Sequence, residues 1–252
     1  MHKELKKSLE ELKLLEVKKY LDECSYLAIK EGLSFEEYLS ELLSIELDSR
    51  HNRKVDRFLR ESRISPNKTF SNFDRTRLSR KLNSQINVIL EGDFLDKSEN
   101  ILIFGNSGVG KTHIAEALGT ELIHKGHKIL FKTCNLFVQE LLIAKKELRL
   151  SKYFKKLSKY RGIILDDIGY VQQDREEIET LFMFFAESYE KNSLIITSNL
   201  AFSEWDKIFK DPVTTSAAID RLIHHSIILE MNLPSYRLES AKKRKKEKNY
   251  DN

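Results

Sequence analysis

Residues 105–112 of the chain read Gly105-Asn106-Ser107-Gly108-Val109-Gly110-Lys111-Thr112, which fits the pattern Gly-x4-Gly-Lys-Ser/Thr. A short β-branched run at 101–104 precedes the motif and a helical stretch at about 111–124 follows it, as the motif requires. Glycines let successive backbone N–H groups face phosphate oxygens, and the helix dipole adds attraction. We therefore expect Lys111 to reach the β- and γ-phosphates of ATP and Thr112 to ligate Mg²⁺. The alternative is a glycine-rich turn that binds nothing.

A second motif at 162–167, GIILDD, indicates a short strand that ends in two acids. Beside a phosphate loop, the first carboxylate typically holds Mg²⁺ and the second orients or deprotonates the attacking water. We assign the metal role to Asp166 and the base role to Asp167. Aspartate is one methylene shorter than glutamate, so hydrolysis is expected to be slow until a partner adjusts the site. The alternative is an acidic turn after a buried strand.

Two further polar residues are candidates for the same reaction. Asn199 ends a buried run at 195–199, at the edge of the sheet where ligands bind, and it is placed to contact the γ-phosphate or the water. An asparagine that only forms a turn fits the composition equally well. Arg221 lies in an amphipathic stretch at 217–222 and can neutralise phosphoryl charge from a neighbouring subunit. A local ion pair with Asp220 is the alternative.

The surroundings of these motifs indicate an α/β fold. Short β-branched runs alternate with helical stretches, which argues for a five-stranded parallel sheet with helices on both faces. The expected strands are 101–104, 129–132, 162–166, 194–198 and 226–229, and the expected helices are about 111–124, 135–148, 175–190 and 214–223.

Before Pro66 the apolar residues recur at steps of three and four, which predicts helices. Gly32 ends the second helix, and Ser34 with Glu37 forms a capping box that opens the third. We therefore expect a small helical domain at 1–64, the α/β core at 65–234 and a basic tail at 235–252.

Composition places the chain among folded proteins, with 40% hydrophobic residues in 252. It has no long apolar run and no apolar signal segment, so we expect a cytoplasmic protein without a membrane span. Cys24 and Cys134 stand alone and are expected to be reduced core thiols. The net charge of +4 hides strong asymmetry, because 141–161 carries eight bases and one acid while 162–234 carries five bases and thirteen acids.

Residues 145–161, which we call the basic block, predict contact with nucleic acid. Steps of three and four place most of its bases on one helical face, where they can track phosphates without reading sequence. The alternative is a solvated helix face. The candidate DNA contacts are Lys145, Lys146, Arg149, Lys152, Lys155, Lys156 and Lys159. The tail at 242–248 fits either a further phosphate contact or a solubilising end.

Several of these motifs together resemble a known family. The chain resembles the IstB-like helper ATPases of bacterial insertion sequences, relatives of DnaC-type helicase loaders in the AAA+ class. The resemblance covers almost the whole chain and rests on SELLSIE at 40–46, KTFSNFD at 68–74, GKTHIA at 110–115, LDDIGY at 165–170, ITSN at 196–199, DRLIHH at 220–225 and SYRL at 235–238.

The resemblance implies a P-loop AAA+ core that lacks a helical lid, oligomerises on duplex DNA and holds ATP between subunits. The resemblance implies that Asn199 is the sensor-1 residue of the AAA+ class. It also implies that Arg221 is the arginine that reaches the neighbouring subunit's ATP. Phe73 and Asp74 match the segment that leads into the nucleotide pocket, but the family often has an apolar residue and a proline where this chain has 75–77, RTR. Arg237 is a candidate to act in place of the helical lid that this family lacks.

We expect an ATPase that regulates or recruits a transposase. A loader of the replicative helicase is the nearest alternative, because it shares the ATPase core and differs in its partner. A small-molecule kinase and a nucleotide-gated DNA-binding protein with negligible turnover are alternatives from other classes.

Overall fold

The structure is a computed structural model that describes residues 2–170, 175–200, 204–205 and 222–239. The chain divides into two compact units, Met1–Arg57 and Phe58–Asn252. This division falls within a helix, whereas the boundary expected from the sequence lies in the loop that follows the helix.

The first unit consists of helices. α1 is His2–Glu11, α2 is Leu15–Glu31 and α3 begins at Phe35 and ends at Ser62. α2 ends at Gly32 with a φ of 69°. The Ser34 backbone N–H donates to Glu37 at 2.8 Å and the Glu37 N–H donates to the Ser34 hydroxyl at 3.2 Å, so the predicted capping box is confirmed. A small core holds this unit together, formed by Leu9, Val17, Leu21, Cys24 and Leu42.

The second unit contains a five-stranded sheet whose neighbouring strands are all parallel. The strands are β1 (Asn100–Gly105), β2 (Ile129–Thr133), β3 (Gly162–Asp166), β4 (Ser193–Ser198) and β5 (Ser226–Met231). Their order is β2-β3-β4-β1-β5. The predicted fold class is confirmed, and each expected strand is present with its ends moved by at most two residues.

Helices surround this sheet. They are α4 (Arg80–Glu91), α5 (Asp93–Asp96), α6 (Lys111–His124), α7 (Cys134–Lys146), α8 (Leu150–Leu157) and α9 (Arg175–Ser188), with shorter turns at Phe70–Asn72, Arg75–Arg77 and Ile168–Tyr170. The expected helix at 214–223 lies almost entirely outside the described residues. Within the described part of the chain, no helix combines the length and the apolar content needed to cross a bilayer.

Alternate residues of β3 face opposite layers. Ile164 meets α6 so closely that a Cβ on Gly119 would lie 2.7 Å from the Ile164 Cδ1 atom. Ile163 and Leu165 instead join a core cluster with residues of α7 and α9. Helices therefore cover both faces, which is why the strands are almost continuously apolar. The adjacent strands β3, β4 and β1 bring Asp166, Asn199 and the loop after Gly105 to one edge.

The basic block differs from its expected form. α7 ends at Lys146 and α8 begins at Leu150, so the single helical face expected over 145–161 is wrong. Leu148 takes a left-handed φ of 55°. The Arg149 N–H donates to the Ala144 carbonyl at 2.8 Å and the Leu148 N–H donates to the Lys145 carbonyl at 3.0 Å. These two bonds form a Schellman motif that ends α7 without a glycine.

Candidate nucleotide-binding site

A cavity of about 480 Å³ lies at the carboxyl edge of the sheet. It brings together the phosphate loop, both acids of the second motif and the asparagine that follows β4. The predicted residues that line it are Ser107, Gly108, Val109, Gly110, Lys111, Thr112, Asp166, Asp167 and Asn199, and they are joined by Lys68, Asn72, Phe73, Asp74, Arg77, His113, Tyr236 and Arg237.

The glycines of the loop are required by geometry. Gly108 has a φ of 81°, and a Cβ there would lie 2.4 Å from the Ser235 hydroxyl oxygen. Gly110 has a φ of 107°, and a Cβ there would lie 2.8 Å from the Phe73 ring. Both positions combine a left-handed backbone with no room for a side chain, so only glycine fits. The loop therefore keeps the open backbone that phosphate binding needs.

Lys111 is folded into this loop. Its Nζ donates to the backbone carbonyls of Gly105 at 2.8 Å and Asn106 at 3.1 Å. Burial lowers the pKa of its ammonium, and the nearby carboxylates of Asp167 and Asp166 oppose that shift. The ammonium is held at the cradle by bonds that an incoming phosphate can replace.

Thr112 and Asp166 form the pair suited to Mg²⁺. The Thr112 hydroxyl donates to the Asp166 Oδ2 at 3.1 Å, which leaves the hydroxyl lone pairs available to a cation. Mg²⁺ beside a phosphate site needs few protein ligands, because phosphates and water complete its shell. A hydroxyl and one carboxylate of this kind fit the ion, and no cluster of three or more His, Cys, Asp or Glu suited to a metal occurs among the described residues.

Asp167 has an unusual backbone and an unusual charge environment. Its φ is 67°, so the chain leaves β3 sharply and the side chain lines the cavity. Burial raises the pKa of its carboxyl, and the Asp166 carboxylate raises it further, against the opposing effect of Lys111 and Arg237. A carboxylate with a raised pKa is a better proton acceptor than an ordinary aspartate.

Asn199 lines the cavity, but its amide oxygen is buried beside Gly169. This Oδ1 has no hydrogen-bond partner among the described residues. Gly169 makes room for it, because a Cβ on Gly169 would lie 2.2 Å from that oxygen. A buried polar atom without a partner is costly in a folded protein. Nearby, the Trp205 indole N–H donates to the Ser198 hydroxyl at 3.3 Å.

The segment at 65–69, which leads into the α/β core, is anchored to α6. Glu116 is almost fully buried; its carboxylate accepts from the Ser65 N–H at 2.6 Å and pairs with Lys68. The His113 ring nitrogen Nε2 lies 2.8 Å from the Thr69 carbonyl oxygen. Sequence reasoning missed this anchor, and the only signal was a glutamate within the apolar run IAEAL of α6.

The segment after β5 borders the cavity from the other side. The Tyr236 N–H donates to the Gly108 carbonyl at 3.0 Å, and both Tyr236 and Arg237 line the cavity. Arg77 also lines it, whereas Arg75 is directed to α4 through hydrogen bonds with Asn83 and Asn87. Arg221, the predicted arginine for a neighbouring subunit, lies outside the described residues.

Most of the candidate DNA contacts line a second cavity of about 1060 Å³, which we call the basic groove. It contains Arg149, Lys152, Lys155, Lys156 and Lys159, together with Lys128, Lys132 and Arg63. Lys145 and Lys146 do not line it. Lys145 instead pairs with Glu176 at 3.4 Å.

The aromatic residues of the basic block are structural. Tyr153 donates its hydroxyl to Glu140, whose carboxylate also pairs with Lys132, and Tyr160 is buried. Burial and this hydrogen bond raise the pKa of the Tyr153 hydroxyl. These rings therefore do not form a free stacking platform, and nucleic acid would meet the cations of the groove beside the carboxylates of Glu61, Glu140 and Glu147.

A family model described as IstB-like ATP binding protein matches residues 7–245. The chain belongs to the IstB-like ATP binding protein family. A protein of Sinorhizobium fredii (strain NBRC 101917 / NGR234) that is named as an insertion sequence ATP-binding protein is 41% identical over 217 residues, or 86% of this chain and 73% of the relative. A Pseudomonas aeruginosa protein named as an ATP-binding protein of insertion sequence IS21 is 37% identical over 246 residues, or 96% of this chain and 91% of the relative.

Solved structures support the fold of this IstB-like chain. A replication initiator DnaA, bound to AMPPCP and single-stranded DNA, has a TM-score of 0.57 and 21% identity, and the match covers 75% of this chain and 57% of DnaA. The DnaC helicase loader has a TM-score of 0.55 and 18% identity, and the match covers 66% of this chain and 98% of the loader. At these identities the likeness shows the fold alone.

Proposed function

We propose that the protein hydrolyses ATP and uses the ATP-bound state to assemble on duplex DNA, where it recruits or regulates a transposase. The observation that carries hydrolysis is the arrangement around one cavity: Asp167 and Asn199 line the same space as Lys111. A carboxylate and an amide beside a phosphate cradle are groups that can position a water molecule.

Each residue of the cavity has a distinct task in this proposal. Lys111 leaves its loop carbonyls and neutralises the β- and γ-phosphates, while the loop N–H groups hold them. Thr112 and Asp166 would hold Mg²⁺, which would supply charge neutralisation on the phosphates when bound. Asn199 orients a water and Asp167 accepts its proton during in-line attack. Arg221 from a neighbouring subunit stabilises the developing charge, as the resemblance to AAA+ relatives suggests.

The insertion sequence names of the relatives support a role beside a transposase. The basic groove supports DNA contact, because six lysines line it and only Lys128 and Lys132 have a carboxylate partner among the described residues. The groove would give salt-dependent binding that does not depend on sequence.

The test is ATP-dependent assembly on duplex DNA, measured by light scattering together with phosphate release. We expect wild type to assemble with ATP and to hydrolyse faster when DNA is present. Arg221→Ala is expected to bind ATP but to hydrolyse poorly, because each site would lack its neighbour's charge. Normal hydrolysis by Arg221→Ala would contradict that assignment, and hydrolysis that ignores DNA would contradict the proposed coupling.

The partner is tested by capture with the full chain. We expect retention of the transposase encoded beside the protein in its insertion sequence. Capture of a replicative helicase without a transposase would instead identify a helicase loader.

A further inference from the structure

Thr197 lies at the end of β4 with its hydroxyl between the two acids of the site. Its side chain is almost fully buried. The hydroxyl donates to the Asp166 Oδ1 at 2.6 Å and accepts from the Asp167 backbone N–H at 2.8 Å. One small group therefore contacts both the residue expected to hold Mg²⁺ and the residue expected to accept the proton.

The sheet register explains this contact. Leu165 of β3 pairs with Ile196 of β4, so the next residue of each strand, Asp166 and Thr197, also lie side by side. The neighbouring hydroxyl cannot replace that of Thr197. Ser198 accepts from the Leu200 N–H at 3.1 Å and from the Trp205 indole at 3.3 Å.

The contact divides the tasks of the Asp166 oxygens. Oδ1 is occupied by Thr197, and Oδ2 accepts from Thr112. Because both oxygens are fixed, the carboxylate cannot rotate, and Oδ2 stays directed to the phosphate loop. A carboxylate held in this way binds a cation more tightly than one that rotates freely.

The same hydroxyl fixes the backbone of Asp167. The left-handed φ of 67° at this residue turns the chain out of the strand, and an L-residue adopts it only when its surroundings hold it there. Among the hydrogen bonds of the described residues, the one from the Asp167 N–H to Thr197 meets this need.

We propose that Thr197 is a positioning residue that sets the metal-holding carboxylate and the proton-accepting carboxylate together through its single hydroxyl. This inference rests on the proposed ATPase function. It predicts that removal of the hydroxyl weakens Mg²⁺-dependent nucleotide binding and slows hydrolysis, although Thr197 does not itself line the nucleotide cavity.

The test compares Thr197→Val, which keeps the shape without the hydroxyl, with Thr197→Ser, which keeps the hydroxyl. Thr180→Val is the matched control, because Thr180 is also buried and its hydroxyl donates to the Glu176 carbonyl at 2.7 Å within α9. Binding of mant-AMPPNP is measured with Mg²⁺ and with EDTA, and thermal unfolding identifies any variant that does not fold.

We expect Thr197→Val to lose about tenfold or more of the affinity gained from Mg²⁺ and to change little in EDTA. Its kcat is expected to fall by about 10–100-fold, and its KM for Mg-ATP is expected to rise with the lost affinity. Thr197→Ser and Thr180→Val should keep both properties. If Thr197→Val keeps the Mg²⁺ gain, or if Thr197→Ser fails as badly, the hydroxyl has no positioning role.

The binding measurement separates this inference from the proposed function. Wild-type protein that binds mant-AMPPNP without hydrolysing ATP would contradict the ATPase proposal. The Mg²⁺ comparison among the variants would still decide the role of Thr197.

Discussion

The Arg77 guanidinium Nη2 lies 2.9 Å from the Glu239 carboxylate, although 162 residues separate them in the chain. The same nitrogen donates to the Pro234 carbonyl at 2.9 Å, and the guanidinium lies over the Tyr236 ring at 5.2 Å from its centroid. Arg77 and Tyr236 both line the nucleotide cavity. At the rim of the cavity, this contact therefore joins the segment that precedes α4 to the segment that follows β5.

Breaking the ion pair between Arg77 and Glu239 should speed nucleotide exchange. Arg77→Gln removes the ion pair and loosens the segment after β5, which rests on Gly108. Because Glu239 is partly exposed, we expect the lost ion pair to lower the barrier to nucleotide release by about 1 kcal/mol. The release rate of mant-ADP should therefore rise roughly fivefold. Stopped-flow fluorescence measures that rate.

Two variants sharpen the result. Arg75→Gln is the matched control, because Arg75 binds Asn83 and Asn87 rather than the rim. The exchanged pair Arg77→Glu with Glu239→Arg should recover part of the slow release. If Arg77→Gln releases mant-ADP at the wild-type rate, the ion pair between Arg77 and Glu239 does not control nucleotide exchange.

Asp167→Asn should stop hydrolysis while stabilising the fold. The raised pKa of Asp167 means that the folded state favours its protonated form, so its ionisation destabilises the fold at neutral pH. Asparagine removes that charge and tolerates a left-handed backbone. We expect the unfolding free energy to rise and hydrolysis to fall by at least about a hundredfold. A less stable variant in chemical denaturation would contradict this explanation.

The same residue sets the acid limb of the wild-type rate. Asp167 accepts a proton only when ionised, so hydrolysis should fall as pH decreases through its raised pKa, above the usual value of about 3.9 for aspartate. Single-turnover rates at several pH values measure this limb. An acid limb no higher than that of an ordinary aspartate would exclude Asp167 as the base.

DNA binding should depend on the basic groove rather than on all seven candidate bases. Alanine at Lys152, Lys155, Lys156 and Lys159 should weaken binding and reduce the slope of log affinity against log salt by about 0.9 for each phosphate that is no longer neutralised. Lys145→Ala is the control, because Lys145 pairs with Glu176. Fluorescence anisotropy with labelled duplex measures both. An equal effect from Lys145→Ala would place the DNA-binding surface elsewhere.

Glu46 should stabilise the helical unit through its charge. Its carboxylate is 2% exposed, accepts from the Glu16 N–H at 2.8 Å and pairs with Arg50 at 2.8 Å. Burial acts to raise its pKa, but these hydrogen bonds hold the pKa below the ordinary value. Glu46→Gln should cost about 2 kcal/mol at neutral pH.

The pH dependence gives a second measurement of the same group. Because its folded pKa is lowered, the stabilisation from Glu46 is present above the unfolded pKa of about 4.3 and is lost as pH falls through the folded pKa. The difference between wild type and Glu46→Gln in circular dichroism melts should therefore shrink in acid. Glu41→Gln, at an exposed position of the same helix, is the control.

The sequence was sufficient for the strands and the phosphate loop because each is a local pattern. The GIILDD run fixes the end of β3, and glycine spacing fixes the loop, so Lys111, Thr112 and Asp166 could be placed without a structure. Residues that act across the chain were not visible. Thr197 meets Asp166 only through strand register, and the break at Leu148 has no glycine or proline to announce it.

Trp205 is the sole tryptophan of the chain, and its indole is bonded to the residue next to Asn199. Its ring is buried and packs edge-on against Phe104 at the end of β1, 5.7 Å between centroids. Excitation of tryptophan therefore reports on one place in the molecule. Resonance energy transfer from Trp205 to a mant-nucleotide would follow occupancy of the site without any engineered label.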